Sequence, residues 1–201
     1  MIIRRFIVPT AIGAAALIGA MLIAINIGHA ADLGGKPVSR AEAEAATTSP
    51  WTGFYAGLGI GAVAGVMDPI FGVDGYQYGA VVGYNQQIGR LIVGARVGYD
   101  QKHVTAFGSD VSAKEWYYGG IVGFALNNAT MAYALAEQPH MTVMGMDTTG
   151  LTVGGGLATL LHKDWDLALE YKHETFKDIP NAREHVIGTR LSYHFNSLLG
   201  R

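Results

Sequence analysis

The sequence predicts an all-β fold, an eight-stranded antiparallel transmembrane β-barrel preceded by an N-terminal signal peptide. Three observations predict it. From Trp51 onward, apolar residues recur with period two in eight separate segments. The charges inside those segments fall on the opposite, less apolar face. The chain also carries 28 glycines among 201 residues, about twice the ordinary ~7% share, which disfavours a mostly helical protein. There is no cysteine, so disulfide scaffolds and thiolate chemistry are excluded. The formal charge of −2 gives no basic excess for binding nucleic acid.

The first thirty residues read as a targeting segment. Arg4 and Arg5 precede an uncharged run from Phe6 to Gly28, and Gly28-His29-Ala30 offers small residues where a signal peptidase reads. The run spans 23 residues and is long enough to cross a bilayer as a helix, so a retained anchor is the alternative to cleavage. Residues 31–50 hold Gly34-Gly35, Pro37 and Thr47-Thr48-Ser49-Pro50 with no aromatic residue, the composition of a linker.

The alternation begins in 51–64, where Phe54, Ala56, Leu58 and Ile60 oppose Tyr55, Gly57, Gly59 and Gly61. It recurs in 76–87, 90–100 and 115–126, led by Tyr76, Leu91 and Trp116. Segment 130–136 is shorter, with Met131, Tyr133 and Leu135 read as the apolar face against three alanines. Segments 151–161, 165–172 and 186–195 complete the set. Arg96, Asp100, Glu115, Asp166, Glu170, Lys172 and Arg190 all lie on the weaker face. Small residues and a few charges make a poor soluble core. Turned inside out, the greasy set meets lipid and the rest lines a narrow lumen. Closure follows, because in hydrocarbon every backbone N–H and C=O must be paired.

Tight turns are expected near Gln87-Ile88-Gly89, Asn127-Asn128-Ala129 and His162-Lys163-Asp164, and longer loops at 65–74, 101–114, 137–150 and 173–185. Short periplasmic turns and longer outer loops are the usual asymmetry of such barrels. Outward aromatics then form two girdles: Phe54, Tyr84, Phe124, Trp165 and Phe195 at the periplasmic rim, and Tyr76, Tyr99, Trp116 and Tyr171 at the outer one.

Trp51-Thr52-Gly53-Phe54-Tyr55-Ala56-Gly57 resembles the first strand of the OmpA-like, porin-type outer-membrane β-barrels of alphaproteobacteria, as do Ala31-Asp32-Leu33, Gly83-Tyr84-Asn85 and Trp165 with Glu170-Tyr171. Leu191-Ser192-Tyr193-His194-Phe195 is similar to their closing strand. The resemblance covers roughly 51–195 and implies an abundant surface protein of the cell outer membrane. Insertion by the barrel-assembly machinery and contact with outer-membrane lipids, lipopolysaccharide, and host or envelope proteins would go with it; some relatives bind haem. Two departures stand out: Asn196–Arg201 follow the terminal aromatic, and Ala158 replaces a glutamate frequent in the sixth strand.

Arg96, Glu170 and Arg190 fall near mid-strand on the inner face, and their expected role is a structural ion-pair cluster plugging the lumen, since eight-stranded interiors are just wide enough for side chains to fill. The resulting expectation is a non-enzymatic envelope protein without cofactor or metal. The alternatives are a narrow porin, a docking subunit of an envelope assembly, and a lipid-modifying barrel enzyme using His194 or Ser197. Gly57–Gly61 and Gly154–Gly156 lack the following helix that a nucleotide loop requires. His173 and His185 flank the last long loop and are placed to face each other across strands seven and eight, with Glu174 nearby, but two histidines on a loop are expected to be solvated rather than to hold a metal. Met141, Met144 and Met146 are expected as a soft apolar patch on the third long loop.

Overall fold

A computed structural model describes residues 49–67, 71–106, 108–178 and 182–195. The expected signal peptide, most of the linker and the tail after Phe195, including Ser197, lie outside the described residues. Eight strands form a closed antiparallel barrel: β1 (Gly53–Met67), β2 (Phe71–Ile88), β3 (Leu91–Ala106), β4 (Ser109–Ala125), β5 (Thr130–Val143), β6 (Met146–His162), β7 (Trp165–Phe176) and β8 (Arg183–His194). Each strand pairs with the next, and β8 returns to β1 with Leu191 opposite Leu58. No edge is left exposed.

Parity holds as expected on seven strands. Leu58, Val97, Leu169 and Leu191 are exposed on the outer surface, whereas Arg96, Asp100, Glu115, Asp166, Lys172 and Arg190 are buried inside. The nine girdle residues, from Phe54 and Tyr76 to Tyr171 and Phe195, also lie on the outward face, with Phe54 edge-on to Tyr84 and Trp165 edge-on to Tyr193.

On β5 the expectation is inverted. Met131, Tyr133 and Leu135 are buried inside, and Ala134 and Ala136 face outward. Both sets on this strand are apolar, so hydrophobicity alone does not choose a face. A tyrosine hydroxyl decides it: Tyr133 donates to Glu170 Oε1 at 2.5 Å within the lumen, a partner that lipid does not offer.

The strands also run 12 to 18 residues, well past the expected segments, and the long loops largely dissolve into them. Alternation persists beyond the bilayer but its outward face turns polar, with Gln101, His103 and Thr105 on β3 and Ser112 and Lys114 on β4. Hydrophobicity marks where the membrane ends, and pairing continues beyond it. Residues 137–150 are accordingly a hairpin rather than a loop. Met144 and Gly145, at φ 50° and 79°, form its turn, the two consecutive left-handed residues of a type I′ hairpin. Met144 and Met146 are exposed there, but Met141 points inward and is buried, so the three methionines do not form one patch.

At the opposite end, Gly89-Arg90 and Lys163-Asp164 are two-residue turns, and Asn127 Oδ1 accepts the N–H groups of Ala129 and Thr130 at 2.8 Å. A bulge at Leu160–His162 absorbs one residue before the last of these turns. Pro139 interrupts the β5–β6 ladder, which passes from Glu137–Thr152 to His140–Thr149, because proline has no N–H to donate.

The lumen is better filled than its glycine content suggests. At the short-turn end Trp51, Ile92, Ile121, Ala125, Met131, Tyr133, Leu135, Ala158 and Ala168 form a contiguous apolar core. Three inward tyrosines account for three of the glycines. Tyr55, Tyr117 and Tyr133 each lie across a directly paired glycine, Gly83, Gly98 and Gly156, where an added Cβ would strike the ring.

Candidate functional site: the ion-paired lumen

Above the apolar core the lumen is crossed by charge. Glu170 of β7 is the hub. Its Oε1 accepts from Arg96 Nη1 at 2.8 Å and lies 3.0 Å from Arg190 Nη1, while Oε2 accepts from Arg96 Nη2 at 3.3 Å. The expected trio of Arg96, Glu170 and Arg190 is therefore brought together from β3, β7 and β8.

The cluster is larger than that trio. Arg96 Nε also donates to Glu137 of β5, whose other oxygen is 3.5 Å from Lys172 Nζ. Lys172 in turn lies 4.0 Å from Asp100 Oδ2, which accepts from Gln77 Nε2 at 3.0 Å. Three cations thus meet three carboxylates in this network. The flanking tyrosines add aromatic faces, Tyr117 at 4.5 Å from Lys172 Nζ and Tyr55 at 5.4 Å from the Arg190 guanidinium. Arg190 Nε and Gln77 Oε1 find no hydrogen-bond partner among the described residues. Both residues border a cavity of about 40 Å³ lined also by Gly59, Gly61 and Gly188, room for roughly three ordered waters.

Toward the long-hairpin end sits a second, lopsided cluster. Lys102 Nζ is 2.9 Å from Glu115 Oε2 and 3.0 Å from Glu184 Oε2, and it also donates to Glu174. Phe176 places its ring 5.6 Å away, and Ala113, Met141, Phe176 and Ala182 pack together at this level. At the short-turn end His194 Nε2 meets Asp166 Oδ2 at 2.7 Å, with the edge of Trp51 against its ring. His194 thus has an acid partner that the spacing did not reveal, but the pair is buried inside the barrel.

Lys172 and Asp100 were legible as inner-face residues without being joined to the cluster. Glu137 was missed because β5 was read with the wrong face inward and ended at residue 136. Lys102, Glu174 and Glu184 were missed because they fall in segments read as loops. Continuing the inner parity of β3, β7 and β8 by one step reaches all three.

Comparison with known proteins agrees with this architecture. A family model described as outer membrane protein beta-barrel domain matches residues 38–195. The chain belongs to that family. It is a transmembrane β-barrel of the Gram-negative outer membrane. Among solved structures, Neisserial surface protein A is 18% identical with a TM-score of 0.54, covering 72% of this chain and 98% of that one. Ail, the attachment invasion locus protein of Yersinia pestis, is 14% identical with a TM-score of 0.47, over 71% and 99% of the two chains. The outer membrane enzyme PagL is 10% identical with a TM-score of 0.41, over 67% and 98%. At such identities the likeness is one of fold. No curated protein matches the chain.

Proposed function

We propose that this protein is a non-enzymatic outer-membrane barrel with a plugged lumen, which strengthens the envelope and offers its outer end to surface interactions. The observation that carries the reading is the ion-pair network from β3 through β5 and β7 to β8, with Glu170 holding both Arg96 and Arg190. The apolar cluster of Trp51, Ile92 and Met131 beneath it narrows the lumen further, beside the buried pair of His194 and Asp166. A transported ion would have to displace paired charges and then pass this mainly apolar level, two costs that compound.

In this reading the short-turn end is periplasmic, and the protein stands with the OmpA-like, porin-type barrels of alphaproteobacteria that its first and last strands resemble. Outer-membrane lipids and lipopolysaccharide would surround the girdles, and the barrel-assembly machinery would insert the chain. His194 sits inside the barrel, away from lipid, which counts against lipid hydrolysis at this residue. The small charged cavity beside Asp100 and Lys172 is the feature that favours the rival, a narrow ion path. Conductance across planar bilayers separates the two: purified barrel should give no stable single-channel steps. Reproducible steps that change with Glu170→Gln would establish the porin instead.

A further inference from the structure

We propose that His173 and His185 form a divalent transition-metal site on the outer surface of the barrel, at its long-hairpin end. The two residues are direct cross-strand partners on β7 and β8. Their ring centroids are 4.7 Å apart with the planes inclined by 38°. Two imidazoles bound to one ion at about 2.1 Å, at angles near 90–110°, place their ring centres roughly 4.5–5.2 Å apart. The pair already has the spacing of a chelate. Among the described residues it is the one place where two histidine rings face each other.

The surroundings supply the rest of the argument. Tyr171 Oη lies 2.7 Å from His185 Nδ1. When Nδ1–H donates to that oxygen, Nε2 keeps its lone pair, the tautomer that a metal needs; without metal the same contact equally accommodates the hydroxyl donating to Nδ1. His173 Nδ1 is buried with no hydrogen-bond partner among the described residues, a cost that coordination to a shared ion would remove. Rotation about χ2, which is broad for imidazole, lets the His173 ring turn a nitrogen toward the bridge while His185 keeps its contact with Tyr171. Ala64, opposite His185 on β1, leaves that flank open. Glu174 does not contribute, because it turns into the lumen to meet Lys102.

That last point selects the metal. Among the described residues no group of three or more His, Asp or Glu residues is placed to hold a metal ion, so the protein supplies two neutral nitrogens and water fills the remaining positions. Calcium and magnesium, which require carboxylate and carbonyl oxygens, are disfavoured. Copper, nickel and zinc, which imidazole suits, are the class that fits. The other outward histidines lack a second ring: His103 Nδ1 is 3.0 Å from Ser112 Oγ, and His140 lies flat on Trp116 at 4.0 Å.

Zn²⁺ titration of the full-length folded protein in detergent tests the site by calorimetry, with unheated and heated gel mobility verifying that each variant folds. The parent should bind Zn²⁺ reversibly to EDTA, and H173N and H185N should each weaken binding by about tenfold or more, while H103N leaves it unchanged. Y171F should weaken binding without abolishing it. A measurement on the parent alone guards against misfolded variants: Zn²⁺ should protect His173 and His185, but not His103, from diethyl pyrocarbonate. Equal Zn²⁺ affinity in the parent and in H173N, no Zn²⁺ binding by the parent, or labelling of both histidines indifferent to Zn²⁺ overturns the proposal.

Discussion

The two ends of the lumen solve the same problem by different physics. At the short-turn end the interior is mainly an apolar core in which Trp51, Ile92, Ile121, Met131 and Tyr133 pack with Ala158 and Ala168, beside the single pair of His194 and Asp166. At the long-hairpin end one ammonium, Lys102, is surrounded by Glu115, Glu174 and Glu184. Apolar packing is non-directional and degrades in proportion to the volume removed. A buried ionic cluster is directional, and removing its common partner strands every remaining charge at once. The middle network, with three cations facing three carboxylates, is balanced. The outer cluster is not, and it hangs on a single side chain.

Lys102→Met is therefore expected to have the largest effect. Breaking a buried pair costs about 3–5 kcal/mol, and this change leaves three carboxylates without their shared cation, so the loss should reach the top of that range. Urea unfolding followed by tryptophan fluorescence measures it. Adding Glu115→Gln and Glu184→Gln to Lys102→Met should recover part of the loss. A Lys102→Met protein as stable as its parent would mean that the outer cluster is not what holds that end together. Trp51→Ala attacks the other end. Truncating a buried tryptophan costs about 3–5 kcal/mol, and here the lower half of that range is expected, because Trp51 precedes β1 and its neighbours are free to relax toward the gap. The neutral truncation should be insensitive to pH, whereas the Lys102→Met deficit should shrink as pH falls and the stranded buried acids take up protons. Equal pH responses would erase the distinction between the two ends.

How much of this was legible follows the same division. Where one face of a strand is apolar and the other is glycine or charge, as on β1, β3 and β7, period two alone fixed both the strand and its orientation. Where both faces are apolar, as on β5, the pattern is silent, and the cross-barrel bond from Tyr133 to Glu170 determines which face turns in. Arg96, Glu170 and Arg190 were found because they sit at bilayer depth, where a charge stands out against hydrophobic neighbours. Lys102, Glu174 and Glu184 lie past the apolar band, where outward residues are polar too and the contrast vanishes. Pairing distances across a closed lumen, such as His194 to Asp166, have no signature in sequence spacing at all.

The smallest predicted effect bears on what kind of interior the short-turn end has. A lumen lined by glycine and charge would admit water, and a serine on its inner face would cost nothing. Ala168 tests this, because it points inward, is fully buried, and faces Ala158 across the β6–β7 pair. Both belong to the apolar core around Trp51 and Met131, but Ala168 also stands between Asp166 and Glu170 on the inner face of β7 and opposite Arg190 of β8. Leaving a hydroxyl unsatisfied costs about 1–3 kcal/mol, and this one can rotate toward those polar neighbours or its own strand's backbone, so Ala168→Ser should cost at most about 1 kcal/mol by urea unfolding. The matching change on the outer side of the same strand, Leu169→Ser, exchanges lipid contact for a hydroxyl and reports on the bilayer instead of the core. If Ala168→Ser is neutral while Trp51→Ala is costly, the polar side chains beside Ala168 take up the hydroxyl and the apolar core ends at its level. If both are costly, apolar packing governs the short-turn half in spite of the pair of His194 with Asp166.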